Sequence, residues 1–175
     1  MNPLKITNKF QDKDVVILAS FDPGESTGAV ECTLNRLDSD LWQPTMWVHT
    51  IPWPEGAAGI RDIVLDANVV IVEEFRVREK EAKSIIGDRL WSAEATGWIV
   101  GLVQTFRAPR ELIMQAPWAK DFCPPKVVQA RLGYWPTLDK KGKAIESHEG
   151  DALLHLMYFL AALPGRARNY VWGDK

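Results

Sequence analysis

Four side chains that could bind a metal ion stand at three separate places in the sequence. Asp22 ends a short apolar segment and precedes Pro23-Gly24, and Glu73 ends a second apolar segment. His148 and Asp151 lie near the start of the last apolar run, and residues three apart share one face of a helix. The residue types therefore offer three carboxylates and one imidazole to a single site.

Such a set suits the hydrolysis of a phosphodiester bond. Two divalent ions about 3.5–4 Å apart can activate a water molecule and stabilise the leaving oxygen. Mg²⁺ prefers carboxylate oxygens, and crowded carboxylates repel one another unless a cation lies between them. Taken singly, each residue also has a plainer role. Asp22 could form a turn, Glu73 could be a solvated strand end, and His148 with Asp151 could complement a helix dipole.

The elements that must position these groups follow from the apolar patterns. Short runs rich in β-branched residues predict strands at 15–21, 28–34, 46–51, 69–72 and 112–114. Helical spacing and breakers predict helices ending near 66, over 85–106, over about 125–132, and from the N-cap Ser147 to about 163. This order predicts an α/β fold with a five-stranded mixed sheet. The first three strands should be antiparallel and the later two parallel to the first, with helices on both faces.

The predicted sheet brings the carboxylates together. If the strands that end at Asp22 and Glu73 are central and parallel, both side chains emerge at the same carboxyl edge, where ligands bind in open α/β folds. The chain of 175 residues is long enough for one domain. We expect this domain to span residues 15–165, with flexible tails at 1–14 and 166–175.

The charge is unevenly distributed along the chain. The net charge is −2, but residues 76–143 hold 13 Lys/Arg against 7 Asp/Glu, whereas residues 1–75 hold 5 against 12. A basic middle section could contact phosphates while acidic residues elsewhere hold metal, or it could be solvated loop surface. Cys32 and Cys123 fit no zinc or disulfide spacing. No secretory signal and no membrane-length apolar run is present, so we expect a cytoplasmic protein without a membrane partner.

Three motifs taken together resemble a known family. Asp22-Pro23-Gly24-x-x-Thr27-Gly28, an apolar run before Glu73-Glu74, and His148-x-x-Asp151-Ala152 are similar to the RuvC family of Holliday junction resolvases, in the same element order over about residues 15–163. The resemblance implies a ribonuclease H-like fold and a homodimer that binds four-way DNA junctions. It also implies catalysis with two Mg²⁺ or Mn²⁺ ions held by Asp22, Glu73, His148 and Asp151. Small stand-alone relatives are common in bacteriophages, which would place such a protein in the host cytoplasm.

Several basic side chains are candidates for DNA contacts. In the family the segment after the strand-end glutamate approaches junction DNA, and here that segment is densely charged. A lysine-rich loop precedes the last helix. The predicted DNA-binding residues are Arg76, Arg78, Lys80, Lys83, Lys140, Lys141 and Lys143.

For several other residues, the sequence permits either a structural or a functional interpretation. Glu94, within the long helix, could tune the metals or lie on the solvated face, and we favour the solvated face. His155 lies one helical turn beyond Asp151 in an apolar run, and we predict that it is a core or subsurface histidine. Trp53, Trp118 and Trp135 could stack on unpaired bases, although packing is favoured for each.

Other functions remain open at this point. A nuclease of the same fold could act on RNA–DNA hybrids or in DNA packaging. The Asp-x-Gly-x-x-Thr-Gly pattern also resembles the phosphate loop of actin-like ATPases, but those need two related domains and a second such loop. An inactive nucleic-acid-binding module is disfavoured because all four site positions hold competent ligands.

Overall fold

A computed structural model describes residues 1, 4–5, 10, 12–76, 90–106, 111–122, 124–142 and 147–162. Within them the chain is an α/β protein built on one mixed sheet. The strands are β1 (Leu4–Lys5), β2 (Val15–Asp22), β3 (Ser26–Arg36), β4 (Leu41–Pro52), β5 (Val69–Glu73) and β6 (Glu111–Gln115).

The strand order is β1-β4-β3-β2-β5-β6. Strands β2, β3 and β4 pair antiparallel in succession, whereas β5 pairs parallel with β2 and β6 pairs parallel with β5. The predicted five strands and their directions are therefore confirmed. The short loops that join β2, β3 and β4 permit only antiparallel neighbours, and the longer connections to β5 and β6 permit parallel ones.

The structure adds a sixth strand that the sequence did not predict. Leu4 and Lys5 pair antiparallel with β4 at the sheet edge, and a two-residue strand is too short to show an alternating pattern. Leu4 and Phe10 are buried in the core, at 3% and 7% exposure. Two positions within the predicted flexible tail over residues 1–14 therefore bury apolar side chains against the sheet.

Helices cover both faces of the sheet. They are α1 (Ala57–Asp66), α2 (Trp91–Thr105), α3 (Pro125–Leu132) and α4 (His148–Ala162), with a 3₁₀ helix at Pro117–Phe122. The described part of the predicted helix 85–106 is α2, from Trp91 to Thr105. Residues 77–89, which include the predicted start of that helix, and the predicted tail 166–175 lie outside the described residues. None of the helices described here is long and apolar enough to cross a lipid bilayer.

Alternation along the central strands divides the core into two layers. Leu18 and Ile71 face the layer that contains α3 and α4, whereas Phe21 and Val72 face the layer that contains α1 and α2. Strands buried on both faces are mostly apolar, as the runs at 15–21 and 69–72 predicted. Helix α4 is buried around most of its circumference, which makes it a rigid support for the residues at its first turn.

Candidate functional site

Asp22 and Glu73 are the last residues of two adjacent parallel strands. Phe21 of β2 pairs in register with Val72 of β5, so the residues that follow them leave the sheet at the same edge. The side chains of Asp22 and Glu73 are only 11% and 15% exposed. The prediction that the two strand-end carboxylates lie at the same edge of the sheet is confirmed, because neighbouring parallel strands end at the same edge.

The start of α4 meets these carboxylates. Ser147 caps the helix, because its Oγ accepts a hydrogen bond from the backbone N–H of Gly150 (3.1 Å). In the first turn, Nδ1 of His148 lies 2.8 Å from Oδ2 of Asp22. Asp151 follows one turn along the same face. The four predicted residues Asp22, Glu73, His148 and Asp151 therefore line one cleft, which has a volume of about 1050 Å³.

Burial and crowding perturb the two strand-end carboxyl groups in opposite directions. Burial raises the pKa of Asp22 to about 6, and the nearby charge of Glu73 adds to this, although the hydrogen bond with His148 opposes it. Burial also disfavours charge on Glu73, but hydrogen bonding to His155 and the charge of Lys120 outweigh it and lower the pKa of Glu73 to about 2. Without a cation, the site thus resists ionising both groups together.

Lys120 is a site residue that the sequence reasoning missed. It lies on the 3₁₀ helix after β6, and its Nζ is 2.7 Å from Oδ2 of Asp151 and 3.3 Å from Oε2 of Glu73. Burial opposes its charge, but the ion pair with Asp151 and the carboxylates around it raise the pKa of Lys120 above the ordinary value. Its position just beyond a strand that ends at the same sheet edge was the available signal.

His155 and Gln115 form a second missed contact. His155 is fully buried, as the reading of a core histidine expected. Its Nε2 lies 2.8 Å from Oε2 of Glu73, and its Nδ1 lies 2.8 Å from Oε1 of Gln115. The four-residue spacing from Asp151 placed His155 on the right helical face, and this was the only hint in the sequence.

The donor set fits a hard divalent cation in its chemistry. Three carboxylates and an imidazole line one cleft, and the ammonium of Lys120 already supplies positive charge between Glu73 and Asp151. As the side chains are placed, no three His, Cys, Asp or Glu groups within the described ranges converge closely enough to hold an ion. Cation binding would therefore require side chains of the cleft to move, including withdrawal of the Lys120 ammonium from Glu73 and Asp151.

The Thr27-Gly28 part of the first motif shapes the cleft rather than lining it. Thr27 is fully buried, and its Oγ1 both donates to the carbonyl oxygen of Gly24 (3.1 Å) and accepts from the Gly24 backbone N–H (3.3 Å). This pair of bonds closes the turn after Asp22. Gly28 pairs with Asp22 across β2 and β3, and the backbone of His148 lies directly against it.

The chain was also compared with known proteins. No family model and no curated protein sequence matches it. Assignment of a function therefore depends on the site and on the motifs that the sequence carries.

The predicted DNA-binding residues divide into three groups. Arg76 lines the cleft and forms an ion pair with Glu74. Lys140 and Lys141 are exposed in the loop before α4 but do not line the cleft. The remaining candidates lie outside the described residues; they are Arg78, Lys80, Lys83 and Lys143.

Side-chain burial also decides between the structural and the functional interpretations of the aromatic candidates and of Glu94. Trp53 and Trp135 are 8% and 4% exposed and pack in the two core layers, so the packing reading is confirmed for both. Trp118 is 59% exposed, lines the cleft, and is held edge-to-face against Tyr158 with ring centroids 5.7 Å apart. Glu94 is exposed, in agreement with the favoured position on the solvated face of the helix.

The raised pKa of Asp22 predicts a pH-dependent stability of the metal-free protein. The carboxyl group ionises near 3.8 in the unfolded chain and near 6 in the folded one, so the folded state holds an extra proton between these values. The free energy of unfolding should therefore fall as pH rises through this window, by roughly 3 kcal/mol if the whole shift is expressed. Asp22→Asn should remove this loss.

Urea unfolding in EDTA at pH 5 and pH 7.5 measures the effect. Relative to wild type, Asp22→Asn should gain stability at the higher pH. Adding Mg²⁺ at pH 7.5 should stabilise the wild type but not the variant, since only an ion that binds the folded state shifts the equilibrium. Parallel pH dependences for the two proteins would show that Asp22 has no raised pKa.

Proposed function

We propose that this chain is a metal-dependent endonuclease with a ribonuclease H-like fold that resolves Holliday junctions and cuts other branched DNA. The main support is the convergence of Asp22, Glu73, His148 and Asp151, from two parallel strands and one helix, on a single cleft. These are the residues that the resemblance to RuvC-type resolvases assigns to metal binding and catalysis. The α/β sheet order is compatible with that fold.

The proposed chemistry divides among the residues of the cleft. Bound Mg²⁺ or Mn²⁺ ions, two per site, would supply an activated water and charge stabilisation at the scissile phosphate. Asp22, Glu73 and Asp151 would hold them through carboxylate oxygens. His148 contacts Asp22 through Nδ1, which leaves Nε2 to bind an ion or a water. Lys120 neutralises the site before the ions enter and can then contact a phosphate oxygen.

A panel of DNA and RNA substrates tests the proposal. Purified protein is incubated with a four-way junction, a fork, a linear duplex and an RNA–DNA hybrid of matched sequence, each in Mg²⁺, Mn²⁺ or EDTA. We expect cleavage of the junction and the fork that requires metal, with little cleavage of the duplex. Preferential cutting of the hybrid would instead favour a ribonuclease H. Cleavage of none of them would rule out the proposed nuclease.

We further propose that the protein acts as a homodimer on its DNA. A four-way junction has two-fold symmetry and needs paired nicks in opposing strands, which a two-fold protein with two sites provides. Trp98 of α2 is 41% exposed and can anchor such an interface, whereas Trp91 faces the cleft.

Sedimentation velocity at micromolar concentration measures the proposed assembly. The wild type should sediment as a dimer, and Trp98→Glu should shift it toward monomer because the change places a charge in an apolar interface. The matched control is Trp47→Glu, since Trp47 is exposed to a similar extent on β4. A wild-type monomer that still cuts both strands of the junction would contradict the dimer.

A further inference from the structure

His155 is a polar side chain placed where an apolar one would be expected. It is fully buried in α4, between Leu154 and Leu156, which are both buried in the same core layer. Taking an imidazole out of water costs free energy unless its hydrogen bonds are restored. A leucine would avoid that cost, so the core gains nothing in burial from a histidine here. The reason for it must be sought in its partners.

Both ring nitrogens of His155 have a side-chain partner. A carboxylate oxygen and an amide oxygen can both only accept, so Nε2–H donates to Oε2 of Glu73 at 2.8 Å and Nδ1–H donates to Oε1 of Gln115 at 2.8 Å. Glu73 and Gln115 are paired in register at the ends of β5 and β6, and the backbone N–H of Glu74 donates to the carbonyl oxygen of Gln115. The imidazole ring is therefore fixed from both sides by the sheet edge.

The contact also has a consequence for the direction of Glu73. Lys120 bonds the same oxygen, Oε2, at 3.3 Å, but its side chain is 28% exposed and can swing into the cleft. His155 is enclosed by α4 and the sheet and has no such freedom. When Lys120 leaves, His155 remains to hold Oε2, so the Glu73 carboxylate at the wall of the cleft keeps its orientation.

We propose that His155 and Gln115 are positioning residues that hold the Glu73 carboxylate ready to bind a divalent cation in the cleft. The inference rests on the proposed function only in requiring that the cleft takes such a cation. Hydrogen-bond partners behind metal ligands fix ligand orientation, and their loss costs about 10–100-fold in metal affinity. Neither His155 nor Gln115 lines the cleft, so both would act through Glu73.

Mn²⁺ binding to the DNA-free protein tests this without any activity measurement. Titration followed by electron paramagnetic resonance counts free and bound Mn²⁺ and gives the dissociation constant. His155→Leu removes both hydrogen bonds and should weaken Mn²⁺ binding by about 10–100-fold. His155→Gln keeps one N–H that can reach Glu73, so it should recover part of the lost affinity.

A control separates positioning from general destabilisation. Leu160→Val makes a small cavity in the same helix and core layer, away from Glu73, and should cost on the order of 1 kcal/mol in stability. It should leave the Mn²⁺ dissociation constant unchanged. Urea unfolding of each variant shows that the titrations are made on folded protein. A loss of affinity in Leu160→Val as large as that in His155→Leu would overturn the proposal.

Gln115→Met carries the test if His155→Leu does not fold. Methionine has a similar volume but gives His155 no strong partner, so the ring loses its fixed orientation and Mn²⁺ affinity should fall several-fold. Wild-type affinity in folded His155→Leu, or in Gln115→Met, overturns the positioning role, as does a wild-type cleft that binds no Mn²⁺. A wild type that binds Mn²⁺ but cuts no DNA would contradict only the proposed nuclease function. The positioning role would stand, because the Mn²⁺ titrations alone test it.

Discussion

Asp22→Asn, Glu73→Gln and Asp151→Asn should each lower the rate of junction cleavage by more than about 100-fold while DNA binding survives. Loss of a residue that merely orients a metal ligand already costs about 10–100-fold, so loss of a ligand itself should cost more. Affinity for DNA comes mainly from Lys and Arg contacts to phosphates, which these changes leave in place. Each amide has nearly the same size and shape as the carboxylate it replaces, so the variants should fold.

Cleavage under single-turnover conditions and binding in a gel-shift assay with Ca²⁺ measure the two effects separately. The matched control is Glu74→Gln, because Glu74 follows Glu73 directly but pairs with Arg76 and is 41% exposed. It should retain cleavage within a few-fold of wild type. If Glu74→Gln abolished cleavage and Glu73→Gln did not, the glutamate at the strand end would have been assigned wrongly.

The sequence predicted the parts of the fold that depend on local pattern. Apolar runs without alternation marked β2 and β5 as strands buried on both faces, and the position of Asp22 and Glu73 at their ends then followed from the parallel pairing. Ser147 as the N-cap of α4 followed from its residue type and place. Each of these inferences needs only a few neighbouring residues, and each agrees with the structure.

The sequence could not predict contacts that join distant segments. Lys120 meets Asp151 across 31 residues, and His155 meets Glu73 across 82. Helical spacing shows which face His155 occupies, but it does not show which strand end that face meets. The polarity of His155 pointed to a partner, since a fully buried imidazole needs one, but only the packing of α4 on β5 and β6 identifies it.

The N-terminal strand illustrates a different limit. Leu4 and Phe10 sit in a polar segment with no periodicity, which predicted a loose tail. In the fold, the edge of β4 offers unpaired backbone groups, and Trp42 offers an apolar surface that Phe10 meets edge-to-face with centroids 6.2 Å apart. The strand exists because an edge was available to it, and the local sequence carries no sign of that edge.

The Gly28→Ala change should both destabilise the protein and abolish most cleavage, although it alters no polar group. A Cβ at Gly28 would overlap the backbone carbonyl of His148 and lie 2.7 Å from the backbone nitrogen of Glu149. Backbone atoms cannot rotate away as a side chain can, so the first turn of α4 would have to lift from β3. Thr50, the residue of β4 that pairs with Gly28, also bonds the Glu149 side chain and would lose that contact.

We expect Gly28→Ala to cost about 1–3 kcal/mol in the free energy of unfolding, as overpacking does. The same lift moves His148 and Asp151 relative to Asp22, and a displacement of about 1 Å can cost about 100-fold in rate. Urea unfolding and single-turnover cleavage measure the two losses. Gly97→Ala is the control, because a Cβ at Gly97 in α2 meets nothing within 4 Å and should stabilise the helix by about 0.4–1 kcal/mol. Wild-type stability and cleavage in Gly28→Ala would mean that α4 does not rest on β3 at this point, and the Thr27-Gly28 motif would then need another explanation.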